Sequence, residues 1–193
     1  MWLHRVERAL GDGALQVEWR PFSLEQANSK EGPGWKVWEQ PDDYPSRGLL
    51  ALRAGEAARR QGPEAFRRFL LALFSARHER RRDLTDRAVV LDVAHEAGLD
   101  GARFQRDLAD PALKEAIARS HTEAVERFGV FGVPTFVFPS GASAFLKMLQ
   151  PPEEDAVGTF RALVEVMGKR LYIGEVKRPQ PPWPRGVYTA AQA

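Results

Sequence analysis

Cysteine is absent from all 193 residues of the chain. A disulfide, a thiolate metal site and a cysteine nucleophile are therefore excluded within this chain. Thiol–disulfide exchange also requires an attacking thiolate. We therefore predict that these 193 residues have no dithiol oxidoreductase activity by themselves.

Long apolar runs and a strong excess of charge of one sign are absent as well. No stretch approaches the roughly 18 apolar residues of a membrane span, and the first ten residues carry charges throughout, unlike a secretory signal. Lys and Arg total 28 against 26 Asp and Glu, a net charge of +2, without the clustered basic face of a nucleic-acid binder. We expect a cytoplasmic protein without a membrane or nucleic-acid partner.

Residues for metal or nucleotide chemistry are sparse. His4, His78 and His95 are scattered along the chain, which does not favour a metal site. A glycine-rich phosphate loop and a G-x-S-x-G elbow are also missing. The sequence therefore supports neither a metalloenzyme nor a serine hydrolase.

Helical patterns dominate residues 46–169. Apolar residues recur there at helical spacing, interrupted by glycines and by prolines that begin new helices. We expect four or five helices before residue 128 and one helix after residue 152. A further short helix is predicted within the first ten residues.

Strand patterns occur in two places. Leu15, Val17 and Trp19 alternate with polar residues, which predicts a strand over residues 15–19. Residues 135–138 and 143–149 flank a Pro-Ser-Gly turn, which predicts a β-hairpin.

Residues 23–45 have no sustained periodicity. The segment contains turn formers and three aromatic residues: Trp35, Trp38 and Tyr44. Two interpretations stay open, a structured loop or short helix beside a cleft, and aromatic side chains packed along an irregular loop.

The segment SHTEAVERFGVFGVPTFVF, residues 120–138, places two glycines and a proline directly before the first hairpin strand. With this segment, the order of helix, strand, helical region, hairpin and helix resembles the DsbA family of thioredoxin-fold proteins. The later YIGEVKRPQPPW also has a counterpart in the cytoplasmic branch of mycothiol-dependent nitroreductase-like and FrnE-like proteins. The resemblance implies an α/β thioredoxin-like fold, with residues 1–45 and 129–193 as the thioredoxin-like part and residues 46–128 as an all-helical insertion.

The resemblance also implies a binding loop. The Val133–Pro134 bond is expected to be cis, and Gly132, Val133 and Pro134 are expected to contact a small-molecule or peptide substrate. Gly129 and Gly132 permit a close approach that a side chain would prevent.

Further site residues are expected in the first half of the chain and near the loop. Phe22, Asn28 and Trp35 follow the first predicted strand and are candidates for lining the substrate side. His121 is a candidate proton donor or thiol-orienting group. The alternative for His121 is a packed histidine with one hydrogen bond.

The chain also departs from the family pattern. The family's first strand and its Cys-x-x-Cys normally precede a segment such as WLHRVE, which here begins at Trp2. The central strand of the sheet is therefore expected to be missing between residues 15–19 and 135–138. Three explanations stay open. The start of the chain is clipped, or a partner such as a second copy in a homodimer supplies the strand. Alternatively, the chain closes its sheet differently, for example with its own tail.

Two functions follow from these observations. The first is a thiol-dependent oxidoreductase, or a reductase of small electrophiles, that uses a low-molecular-weight thiol; no other cofactor is expected. The second is a non-redox binding module that keeps the proline loop without a catalytic cysteine.

Overall fold

The structure is a computed structural model that describes residues 1–11 and 13–177. Among these residues, no helix is long and apolar enough to cross a bilayer. The predicted role of the tail as a closing strand lies outside the described residues. The elements, in chain order, are α1 (Trp2–Leu10), α2 (Leu24–Ala27), a 3-10 helix (Val37–Glu39), α3 (Leu49–Arg59), α4 (Pro63–His78), α5 (Arg87–Glu96), α6 (Gly101–Leu108), α7 (Ala112–Phe128), β1 (Thr135–Val137), β2 (Ser143–Phe145) and α8 (Ala156–Lys169).

The chain forms two compact units. Of the described residues, 1–11, 13–18 and 133–177 form the hairpin unit, and Trp19–Gly132 form the helical unit. The division proposed from the sequence, with boundaries after residues 45 and 128, stays a prediction about the family domain.

The helical unit has a well-buried core between its amphipathic helices. Phe69 of α4 and Phe104 of α6 are fully buried, with ring centroids 5.4 Å apart. The side chains of Ala54, Ala57 and Ala58 on α3 are also fully buried. Small side chains on one face of α3 allow the neighbouring helices to approach closely, as dense core packing requires.

The hairpin unit packs β1 and β2 against two helices. The strands are antiparallel, and Phe136 lies opposite Ala144. The ring of Phe136 meets Trp2 of α1 edge-on at 6.5 Å, and Trp2 in turn contacts Phe160 of α8 at 6.0 Å. The indole of Trp2 also donates a hydrogen bond to the carbonyl of Ala156 at 3.1 Å. Trp2 therefore joins α1, α8 and the inner face of the hairpin.

The strand predicted over residues 15–19 is wrong. Leu15, Val17 and Trp19 are half-buried and alternate with exposed residues, but the segment does not form a strand. The sheet found within the described residues has two strands, β1 and β2. The carbonyl of Trp19 accepts a hydrogen bond from Arg59 instead. The ring of Trp19 meets the ring of Phe74 edge-on, with centroids 6.0 Å apart. The predicted pair of strands flanking a central gap therefore does not form.

The hairpin strands are shorter than predicted. β1 ends at Val137 and β2 covers Ser143–Phe145, whereas the pattern favoured 135–138 and 143–149. Hydrogen bonds across the hairpin continue one step beyond the strands, from the amide of Phe138 to Ala142 at 2.8 Å and from the amide of Leu146 to Pro134 at 3.0 Å, so the difference lies mainly in residues 147–149.

Candidate functional site

The predicted binding loop begins where α7 ends. Gly129 closes the helix with φ 64°, a left-handed conformation that favours glycine. Its amide donates to Val125 at 3.1 Å, and the amide of Val130 donates to Ala124 at 3.0 Å. Val130 and Gly132 are buried. The helix is therefore capped at Gly129, and three residues connect this glycine to Val133.

The Val133–Pro134 peptide bond is cis in the structure. Val133 and Pro134 are both exposed, and the carbonyl of Pro134 accepts a hydrogen bond from the amide of Leu146 at 3.0 Å. The loop is thus tied to the far strand of the hairpin while its side chains face solvent.

The hairpin presents apolar side chains on the face opposite Phe136. Thr135 pairs with Phe145, and Val137 pairs with Ser143, so Val137 and Phe145 share one face of the hairpin. Val133, Val137 and Phe145 are 44%, 44% and 39% exposed. We call Val137 and Phe145, together with Val133 of the preceding cis loop, the outer hairpin face. Exposed apolar side chains that form a contiguous patch can serve as an interaction surface.

His121 is the centre of a second cluster, in the helical unit. It lies on α7 and is only 6% exposed. Its ring stacks on Phe22, with centroids 4.4 Å apart and planes inclined by 28°, and Trp38 contacts it at 5.2 Å. The backbone amide of Ser23 donates a hydrogen bond to His121 Nδ1 at 3.3 Å.

The hydrogen bond to Ser23 defines the state of the imidazole. A backbone amide can only donate, so Nδ1 must be unprotonated and the neutral ring carries its proton on Nε2. Burial, and secondarily the positive charge of Lys36, hold the pKa of His121 below its ordinary 6.5. This is the arrangement of a packed neutral histidine, and the proposed proton-donor role stays a prediction.

The other candidate residues of the helical unit lie in different local settings. Phe22 is half-buried against His121, whereas Asn28 is exposed and donates its amide to the carbonyl of Leu24 at 2.7 Å. Trp35 is half-buried and meets Tyr44 edge-on at 6.1 Å. Their role in lining a substrate site stays a prediction.

Gln26 of this region was not identified from the sequence, whereas Trp38 was one of the three aromatic residues noted there. Gln26 accepts from the amide of Val37 at 2.8 Å and donates to the carbonyl of Trp35 at 3.1 Å, so one side chain joins α2 to the 3-10 helix. Trp38 covers His121. A local pattern does not reveal the role of Gln26, because its two hydrogen bonds reach residues 9 and 11 positions along the chain.

Within residues 1–11 and 13–177, no group of three or more His, Asp or Glu side chains is placed to hold a metal ion. Several charged side chains there form ion pairs. Asp42, in the turn after the 3-10 helix, contacts Arg53 of α3 at 3.0 Å and Lys114 of α7 at 2.7 Å.

The chain belongs to the DSBA-like thioredoxin domain family, which matches residues 2–153. The match confirms the predicted family and the predicted α/β thioredoxin-like fold with a helical insertion. The cis loop and the hairpin therefore lie within the part of the chain that matches the DsbA-like family.

Three relatives are similar to this chain over different lengths. The uncharacterised protein Rv2286c of Mycobacterium tuberculosis is 28% identical over 183 residues, which cover 94% of this chain and 76% of that protein. The ClpXP adapter protein SpxH of Shouchella clausii is 34% identical over 97 residues, 50% of this chain and 31% of the adapter. SpxH of Halalkalibacterium halodurans is 33% identical over 103 residues, 53% of this chain and 32% of the adapter. The matched part thus spans about a third of each adapter's own length.

Proposed function

We propose that this chain is a protein-binding module of the DsbA-like family, which holds an apolar, extended segment of a partner on the outer hairpin face. The observation that carries the proposal is the exposure of Val133, Val137 and Phe145 on a chain that contains no cysteine. These residues supply contact area and no redox chemistry.

The chemistry of the described groups supports binding over catalysis by this chain. Thiol–disulfide exchange requires a thiolate, and the 193 residues contain none. The buried His121 accepts a hydrogen bond from Ser23 and is packed between two aromatic rings. Its imidazole is therefore occupied in holding the fold of the helical unit.

The similarity to SpxH supports the same proposal. Both relatives are named ClpXP adapter proteins, and the word adapter denotes a protein that binds other proteins. We extend to this chain the binding of a protein segment, which would be presented to a protease of the ClpXP type.

The outer hairpin face can be tested with a pair of matched variants. Val137→Glu places a charge on that face, while Val125→Glu places one on α7, where the valine is equally exposed at 43%. Peptides enriched from a displayed random library are measured against both variants by fluorescence polarisation. Because a carboxylate is costly to bury in an apolar contact, we expect binding at least tenfold weaker with Val137→Glu and unchanged with Val125→Glu. Equal weakening in both variants, or no enriched peptide, contradicts the proposal.

Membership of the DsbA-like family favours a second candidate, a thiol-dependent reductase. In that case a low-molecular-weight thiol would supply the sulfur that this chain lacks. Insulin reduction and reduction of a nitroaromatic compound are measured with purified chain plus thiol, against the same thiol alone. A rate above the thiol control in either assay supports the reductase; equal rates leave the binding function in place.

A further inference from the structure

Residues 22–38, which we call the flap, rest on α7 at His121. Phe22 stacks on the imidazole, the amide of Ser23 donates to it, and Trp38 covers it. The first, second and last residues of the flap therefore meet on a single titratable side chain.

The flap is held together internally. The hydroxyl of Ser23 accepts from the amide of Gln26 at 3.1 Å and so caps α2. The side chain of Gln26 joins the backbone at Trp35 and Val37. Because these bonds connect both halves of the flap, it can move as one piece.

Anchors lie on either side of the flap. The hydroxyl of Ser120 donates to the carbonyl of Pro21 at 2.8 Å, and Lys114 Nζ donates to the carbonyl of Gln40 at 2.9 Å. Neither bond involves His121, so both ends stay attached to α7 when the contacts at His121 change.

We propose that His121 is a pH-dependent latch, and that a proton bound at its Nδ1 releases the flap from α7 between these two anchors. The neutral imidazole accepts the amide proton of Ser23. The imidazolium has an N–H on both nitrogens, so Nδ1–H would face the Ser23 N–H and the hydrogen bond is lost. A buried imidazolium is also poorly solvated, and opening of the flap returns it to contact with water.

The charges around His121 keep the latch closed at neutral pH. Lys36 on the flap adds to burial in holding the pKa of His121 below 6.5. Carboxylates on the neighbouring elements are engaged elsewhere or exposed. Glu25 of α2 accepts from Ser46 and Arg47, Glu123 of α7 pairs with Arg20 and Arg127, and Glu39 of the 3-10 helix is exposed.

Hydrogen exchange at pH 7.5 and 5.5, corrected for intrinsic amide rates, tests the latch. His121→Asn replaces Nδ1 by an amide oxygen that accepts but does not titrate, and His95→Asn, at an exposed position on α5, is the control. In wild type and His95→Asn, we expect protection of the flap amides to fall by up to about tenfold at pH 5.5, which is the limit for one imidazole that has its ordinary pKa of 6.5 once the flap is open. In His121→Asn it stays the same at both pH values, and the amides of α4 stay protected in all three proteins.

Three outcomes would overturn the latch: flap protection that does not change with pH in wild type, an equal fall in His121→Asn, or an equal fall in α4. If His121→Asn does not fold, an NMR titration of wild type decides. The Ser23 amide and the His121 ring must then titrate with one common midpoint below pH 6.5. A Ser23 amide that does not follow the ring contradicts the proposal.

Discussion

A Cβ atom on Gly168 would lie 3.0 Å from Cδ1 and 3.2 Å from Cε1 of Phe138. Gly168 is near the C-terminal end of α8, and Phe138 directly follows β1. The missing side chain therefore lets an aromatic ring lie directly on the helix backbone. This contact holds the hairpin against α8 and accounts for a glycine inside a helix, where alanine is usually preferred.

Alanine should act differently at the two glycines of α8. Gly158 has open space around its Cα, so Gly158→Ala should raise the free energy of unfolding by about 0.5–1 kcal/mol through helix propensity. Gly168→Ala should give no gain or a loss, because the Phe138 ring must move. Urea denaturation followed by circular dichroism measures both. An equal gain at the two positions would show that Phe138 adapts at no cost.

Arg81 has φ 55°, a left-handed conformation unfavourable for a side chain with a Cβ. It follows α4, where the amide of Arg82 closes the helix on the carbonyl of Ala76 at 2.8 Å. Arg81→Gly should therefore raise the free energy of unfolding of the helical unit, by up to about 1 kcal/mol. Arg77→Gly, inside α4, removes the same charge and should lower it by about 1 kcal/mol. Effects of the same sign at both positions would rule out the conformational explanation.

Gln26 makes two hydrogen bonds to the backbone of the flap. Gln26→Ala removes both, and at about 0.5–1.5 kcal/mol for each bond we expect the free energy of unfolding to fall by about 1–3 kcal/mol. Gln105→Ala is the control, since Gln105 is exposed on α6. Thermal and urea denaturation measure the difference. Equal stability of the two variants would mean that water replaces the Gln26 side chain without loss.

His121 should make the stability of the helical unit depend on pH. Its folded-state pKa is lowered from the ordinary 6.5, first by burial and then by Lys36, so the unfolded chain binds the proton more strongly. The contribution of His121 to the free energy of unfolding should therefore be constant above pH 6.5. This contribution should fall as the pH drops from 6.5 through the folded-state pKa.

His121→Phe keeps a stacked ring and removes the titration, so its stability should change less than that of wild type between pH 8 and 5.5. His95→Asn should keep the wild-type slope. Denaturant midpoints measured across this range provide the comparison. A slope in His121→Phe as steep as in wild type would assign the pH dependence to other groups.

Local signals in the sequence were sufficient for most helices. Pro63 begins α4, as the preference of proline for the first helical turn predicts. The four or five helices expected before residue 128 are found as α3 to α7, and the helix expected after residue 152 is found as α8. Capping, helix propensity and apolar periodicity all act within a few residues, which is why the sequence reveals them.

The strand at residues 15–19 shows where local signals are insufficient. Alternation predicted which side chains would be half-buried, including Val17. Pairing depends on a neighbouring strand from a distant part of the chain, and the carbonyl of Trp19 is bound by Arg59 of α3 instead. The alternation of apolar and polar residues does not show whether a backbone carbonyl will bond to a neighbouring strand or to a side chain.

The candidate sites divide in the same way. The sequence by itself determined that the chain is cysteine-free and predicted the hairpin after Val133, because composition and neighbouring residues suffice for these. The DsbA-like fold and the loop at Val133 were implied by the resemblance to the family. The tertiary structure decided that Val137 lies on an exposed face and that His121 is neutral, buried and joined to Ser23, which is 98 residues away in the chain. Burial and protonation depend on which distant groups surround a side chain, and packing of the whole unit decides that environment.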